Sequence, residues 1–116
     1  MPHVIIALGS CCQQAAHLHW ASQRLAVLLD GARFSRLLWT QDVHGADIWY
    51  LNRLVTGYTP LSDEALQEAL KRIESESRRT KTRGTIDLDL MQYDRQRYHE
   101  RDWPRPYIQQ LINDIL

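Results

Sequence analysis

The sequence has little with which to cross-link itself. It contains two cysteines in 116 residues, and they are neighbours, Cys11 and Cys12. A bond between neighbours is strained, so a disulfide scaffold is excluded and a reducing, cytoplasmic setting is expected. Net charge is also absent: 14 Lys and Arg balance 14 Asp and Glu. That excludes a general coat on nucleic acid, so no nucleic-acid partner is expected. Long apolar runs are missing too. The run from Val4 is too short for a signal segment and has no basic flank. Nothing approaches the roughly 20 apolar residues of a membrane span. With no repeat and no Gly/Ser linker, residues 1–116 read as a single domain with a modest core.

What is present alternates between two periods. His3–Leu8 is a β-branched, apolar run that reads as a central strand ending at Gly9-Ser10. Residues 13–30 have the three-and-four spacing of a helix, closed by Asp30-Gly31. His17 and His19 fall two apart on it, so they point in different directions and do not pair on a metal. Ala32–Thr40 reads as a second strand, Gln41–Asp47 as a polar loop and Ile48–Tyr58 as a third strand. Asn52 inside that strand is unfavourable by propensity. It calls for a ligand or for an edge position facing water. Ser62 is a good N-cap for a helix that runs to about Ser77, with Asp63 and Glu64 in its first turn. The basic, non-apolar segment 78–84 is an exposed loop. Thr85–Tyr93 is a fourth strand and Asp94–Arg101 is irregular. Trp103-Pro104-Arg105-Pro106 is extended because of its prolines, and Tyr107–Leu116 has a helical stripe.

This order, βαββαβ plus a C-terminal helix, predicts an α+β, ferredoxin-like two-layer sandwich, with an antiparallel sheet, helices on one face and the other face open. The alternation in Thr85-Ile86-Asp87-Leu88-Asp89-Leu90 then places Asp87 and Asp89 on the open face. Two residues of strand separate them by roughly 6.6 Å. Two carboxylates at that distance suit a hard divalent cation, Mg²⁺, and the basic segment before them suits phosphates. The competing reading is a half-buried strand with a solvated acidic face.

Together, Ala7-Leu8-Gly9-Ser10, Tyr50-Leu51-Asn52, Arg72-Ile73-Glu74 and Thr85-Ile86-Asp87-Leu88-Asp89-Leu90 resemble one family in order and spacing over residues 4–93. It is the 6-hydroxymethyl-7,8-dihydropterin pyrophosphokinase family of folate biosynthesis. The resemblance implies Mg-dependent transfer of pyrophosphate from ATP to the hydroxymethyl group of a reduced pterin, releasing AMP. It implies that Asp87 and Asp89 hold two Mg²⁺ ions, with ATP as co-substrate. By the same resemblance Asn52 reads the pterin edge, with Tyr50 and Thr40 beside the ring. Glu74 and Arg79 match nucleotide-pocket positions, and Arg105 replaces a phosphate-binding histidine. Arg79 and Arg83 are the candidate catalytic arginines.

The chain departs from the family pattern in its shorter segment between Glu74 and Asp87, which ends Arg83-Gly84-Thr85. The family arginine is missing in register, and Arg83 lies one residue earlier. The family's later aromatic, which stacks on the second face of the pterin, has no clear match. A catalytically weak or inactive pterin- or nucleotide-binding homologue, acting as a sensor or partner module, is therefore the alternative. A sheet-face RNA binder is a third reading, opposed by the acids at the centre of that face.

Overall fold

The structure, a computed structural model, describes residues 1–11, 15–41, 49–78 and 86–116. The elements follow one another as β1 (His3–Cys11), α1 (Ala15–Leu28), β2 (Asp30–Phe34), β3 (Leu38–Gln41), β4 (Trp49–Tyr58), α2 (Asp63–Arg78), β5 (Ile86–Tyr93), β6 (Gln96–Arg97) and α3 (Pro106–Ile115). The strands form one sheet in the order β2-β4-β1-β5-β6, with β3 also against β4. Every neighbouring pair is antiparallel. With β2 and β3 together taking the place of one strand, this is the expected ferredoxin-like arrangement.

Alternation along β1 divides the core in two. Val4, Ile6 and Leu8 face α1 and α2, where they pack with Leu18, Leu25, Leu66 and Leu70. Ile5 faces the other way and packs with Leu54, Met91 and the α3 stripe of Ile108, Leu111, Ile112 and Ile115. The second face of the sheet is thus not open along its whole length, and the expectation that it would be is corrected. A second apolar cluster seats α3 on one half of it. On that face β1 reads Ile5, Ala7, Gly9, and side-chain bulk falls away as the strand leaves the α3 cluster.

Several predicted boundaries move for local reasons. Helix α1 stops at Leu28, and Asp30-Gly31 opens β2 rather than capping the helix. Gly31, at φ 61°, lies where the β2–β4 register shifts between Asp30 and Arg33. A left-handed glycine in such a bulge carries the extra residue without Cβ strain. The predicted second strand breaks at residues 35–37. There the Ser35 hydroxyl accepts the N–H of Leu54 at 2.8 Å, and the Ser35 N–H donates to the Leu54 carbonyl at 2.9 Å. A side chain thus stands in for part of the ladder.

Ser62 caps α2 as expected, accepting the Ala65 N–H at 3.2 Å. The polar stretch after Tyr93 is not wholly irregular: Asp94, at φ 51°, turns the chain into β6. Residues 101–104 are a turn rather than extended, although Arg105 itself is extended before Pro106 opens α3. Cys11 is disulfide-bonded, and its partner lies outside the described residues. The only other cysteine in the sequence is its neighbour, and a link to a neighbour closes no loop of chain. Packing, not sulfur, holds the fold.

Candidate active site

The half of the second face beyond α3 is a cavity of about 500 Å³, within the usual range for small-molecule sites. Its floor is set by strand register. Gly9 pairs with Asn52 on one side and Asp87 on the other, and Ala7 pairs with Leu54 and Asp89. Asn52 and Asp87 therefore share a row two strand spacings apart, roughly 9.6 Å. Nothing rises between them, because the residue in the middle has no side chain. A Cβ at Gly9 would stand in that space, 3.7 Å from Asn52 Oδ1.

The Asn52 carboxamide is fixed by β3. Its Nδ2 donates to Thr40 Oγ1 at 2.8 Å, to the Leu38 carbonyl at 3.3 Å and to the Tyr50 carbonyl at 3.4 Å. This network turns Oδ1 toward Gly9 and the cavity, so the residue presents an acceptor there. Thr40, whose Oγ1 is occupied as an acceptor, retains a hydroxyl proton to donate.

Asp87 is exposed and Asp89 half-buried. Burial pushes the Asp89 carboxyl above the usual carboxylate range, and the nearby Asp87 and Asp102 carboxylates add to the shift; His99 opposes it. His99 Nε2 lies 3.8 Å from Asp89 Oδ1. A desolvated carboxylate among other acids is stabilised by a cation. The donor set, two strand carboxylates opening on a cavity, fits Mg²⁺, which takes one or two carboxylates and fills its other positions with phosphate oxygens and water. Among the described residues no group of three or more His, Cys, Asp and Glu is placed to hold a metal ion.

The chain matches the 7,8-dihydro-6-hydroxymethylpterin-pyrophosphokinase family over residues 5–116. It belongs to that family. The match extends past Tyr93, where the motif resemblance stops, so α3 is part of the family domain. No curated protein matches the chain in a sequence search.

The structure gathers Thr40, Tyr50, Asn52, Asp87, Asp89 and Arg105 around the one cavity. Glu74 is not among its lining residues; its carboxylate accepts the Leu88 N–H at 2.8 Å, bracing β5 from the end of α2. Arg79 and Arg83 lie outside the described residues, as do His44 and Cys12. Arg105 is paired with Asp102 at 2.9 Å at the cavity rim.

Two residues went unremarked in the sequence. Tyr107, the second residue of α3, lines the cavity, so an aromatic stands there although the family's later aromatic has no clear match in the sequence. Burial raises its phenol above the ordinary range, and Asp102 adds to this, so the hydroxyl stays protonated. His99 reaches Asp89 because the hairpin folds back: the Tyr98 N–H donates to the Met91 carbonyl at 2.9 Å, which carries the next residue alongside β5. His99 holds a φ of 54°, a costly conformation for a histidine. Trp103 anchors this segment. Its indole N–H donates to the Tyr98 carbonyl at 3.0 Å, the Arg97 guanidinium lies 4.2 Å from its ring, and its carbonyl accepts from Gln109 Nε2 at 2.6 Å.

Proposed function

We propose that this chain transfers pyrophosphate from ATP to 6-hydroxymethyl-7,8-dihydropterin, with Mg²⁺, and releases AMP. The observation that carries this reading is the row Asn52–Gly9–Asp87 on the floor of one cavity. It sets a hydrogen-bonding edge at one end and a carboxylate pair at the other. The pterin lies over Gly9. Asn52 Oδ1 accepts an N–H from the ring edge, the Thr40 hydroxyl donates to a ring acceptor, and Tyr50 and Tyr107 supply aromatic walls.

Asp87 and Asp89 would hold the metal, two ions by family resemblance, and the metal would supply charge neutralisation to the triphosphate and Lewis acidity to the attacked phosphorus. The hydroxymethyl oxygen attacks the β-phosphorus, the bond from that phosphorus to the bridging oxygen of the α-phosphate breaks, and the hydroxyl proton passes to solvent. Catalysis of this kind rests on positioning and on charge stabilisation. Arg105 contributes a phosphate contact at the rim. Arg79 and Arg83, from the basic segment, supply further phosphate charge. Glu74 acts through β5, holding the strand that carries both aspartates.

The test is AMP release from ATP, Mg²⁺ and 6-hydroxymethyl-7,8-dihydropterin, run beside equilibrium binding of each. AMP formed in step with the pyrophosphorylated pterin supports the reading. Binding of both ligands without AMP assigns the chain to a non-catalytic, ligand-binding branch instead, and no binding of the pterin rejects the site.

A further inference from the structure

Helix α3 forms the roof of the cavity, yet its apolar stripe is seated on the other half of the sheet face. Ile108, Leu111, Ile112 and Ile115 hold it on Ile5, Leu54 and Met91. Tyr107 and Gln110, three apart and so on one side of the helix, line the cavity instead. Apolar packing fixes the height of α3 above the sheet but is not directional, and it leaves sliding toward or away from β3 weakly opposed.

One polar link opposes that motion from the β3 side. Asp114, near the end of α3, accepts the backbone N–H of Arg36 at 2.9 Å with one oxygen and the Arg36 guanidinium at 2.9 Å with the other. Arg36 sits in the break between β2 and β3. Its neighbour Ser35 is tied to Leu54 in both directions. Two residues on, Leu38 begins the strand whose carbonyl and Thr40 hydroxyl orient Asn52. The hydrogen bonds that aim the acceptor on the floor and the link that places the roof thus converge on residues 35–40.

We propose that Asp114 is a positioning residue for the heterocycle, clamping α3 to the β2–β3 break so that the Tyr107–Gln110 side of the helix stands at the correct gap above Asn52 and Gly9. The inference rests on the pterin reading of the cavity. The clamp is remote from Asp87 and Asp89, which lie across β1 from β4. It therefore acts on the pterin half of the site and not on the metal–nucleotide half. Displacements of an ångström in a preorganised site are enough to cost substantial affinity.

The experiment measures binding and so does not depend on turnover. Wild type, Asp114→Ala, Asp114→Asn and Arg36→Ala are titrated separately with 6-hydroxymethylpterin and with a non-hydrolysable ATP analogue plus Mg²⁺. Asp114→Ala should weaken pterin binding about tenfold or more, since two charge-assisted hydrogen bonds are lost. Asp114→Asn, which keeps one acceptor, and Arg36→Ala, which keeps the backbone N–H, should each lose less. Nucleotide affinity should stay within about twofold in all three.

Pterin binding unchanged in Asp114→Ala overturns the inference. So does a parallel fall in pterin and nucleotide affinity, which would make the clamp merely structural. If Asp114→Ala does not fold, the same comparison is read from Asp114→Asn. Failure of the wild type to bind the pterin rejects the cavity reading itself, and the inference with it.

Discussion

Asn52 and Asp87 face each other across a single residue, each paired in register with Gly9. A carboxamide and a carboxylate are thereby held on rigid strands rather than on loops, at a separation fixed by the strand spacing. The residue between them tests this. Gly9→Ala should stabilise the apoprotein by about 0.5–1 kcal/mol, because glycine is unfavourable in a strand interior. The added carbon meets only an ordinary contact, Asn52 Oδ1 at 3.7 Å. It should nevertheless weaken pterin binding several-fold by raising the floor. Denaturant melts and pterin titration of the one variant would show the two effects with opposite sign.

Asp89 links stability to pH in the less usual direction. Its unfolded carboxyl titrates near 3.8, and burial raises the native one above that. The native state therefore holds the proton more tightly, and stability falls as pH rises from 3.8 through the native pKa. Asp89→Asn should accordingly melt at a higher temperature than wild type at pH 7 without metal, and should lose that advantage at pH 3. Adding Mg²⁺ with an ATP analogue should raise the melting point of wild type and much less that of the variant. Thermal melts across the pH series, with and without the ligands, check both statements.

Glu74 and the Leu88 amide form a brace between α2 and β5, at 2.8 Å. Glu74→Ala should cost about 1.5–3 kcal/mol, the range for a hydrogen bond to a charged group. Glu74→Gln, which retains an acceptor, should cost less. Chemical denaturation ranks the three proteins, and equal stabilities for Ala and Gln would show that the amide bond is not the source of the effect.

Ser35 substitutes for ladder bonding at the β2–β3 break. Ser35→Ala leaves the N–H of Leu54, a residue in the core, without its side-chain acceptor. The expected loss is about 1–3 kcal/mol. Hydrogen exchange should show the Leu54 amide losing protection before the centre of β1 does.

The floor of the site was legible because a strand writes its faces into the sequence. Asp87 and Asp89 alternate with Ile86, Leu88 and Leu90, and the buried partners assign the faces without ambiguity. The asparagine that fitted poorly in a strand also proved to be on the cavity floor. The roof was not legible. The stripe Ile108, Leu111, Ile112, Ile115 says that α3 packs, but a stripe carries no information about which sheet face receives it. Once α3 lies on the second face, Tyr107 comes to the cavity, and no local pattern could have announced that. His99 was hidden for a similar reason: its place beside Asp89 depends on a hairpin in which Asp94 takes a left-handed conformation within a polar stretch.

The taper of Ile5, Ala7 and Gly9 along β1 works as a depth gauge. Each position is one rung, from filled core to bare backbone, and the boundary between what the protein encloses for itself and what it leaves for a ligand falls at the middle rung. Moving that boundary would need no change in topology. A larger residue at position 7 would advance the hydrophobic filling toward the carboxylates, and a smaller one at position 5 would let the hollow retreat beneath α3. The dimensions of the hollow are thus written into three alternate positions of one strand, separately from the acids at its far end.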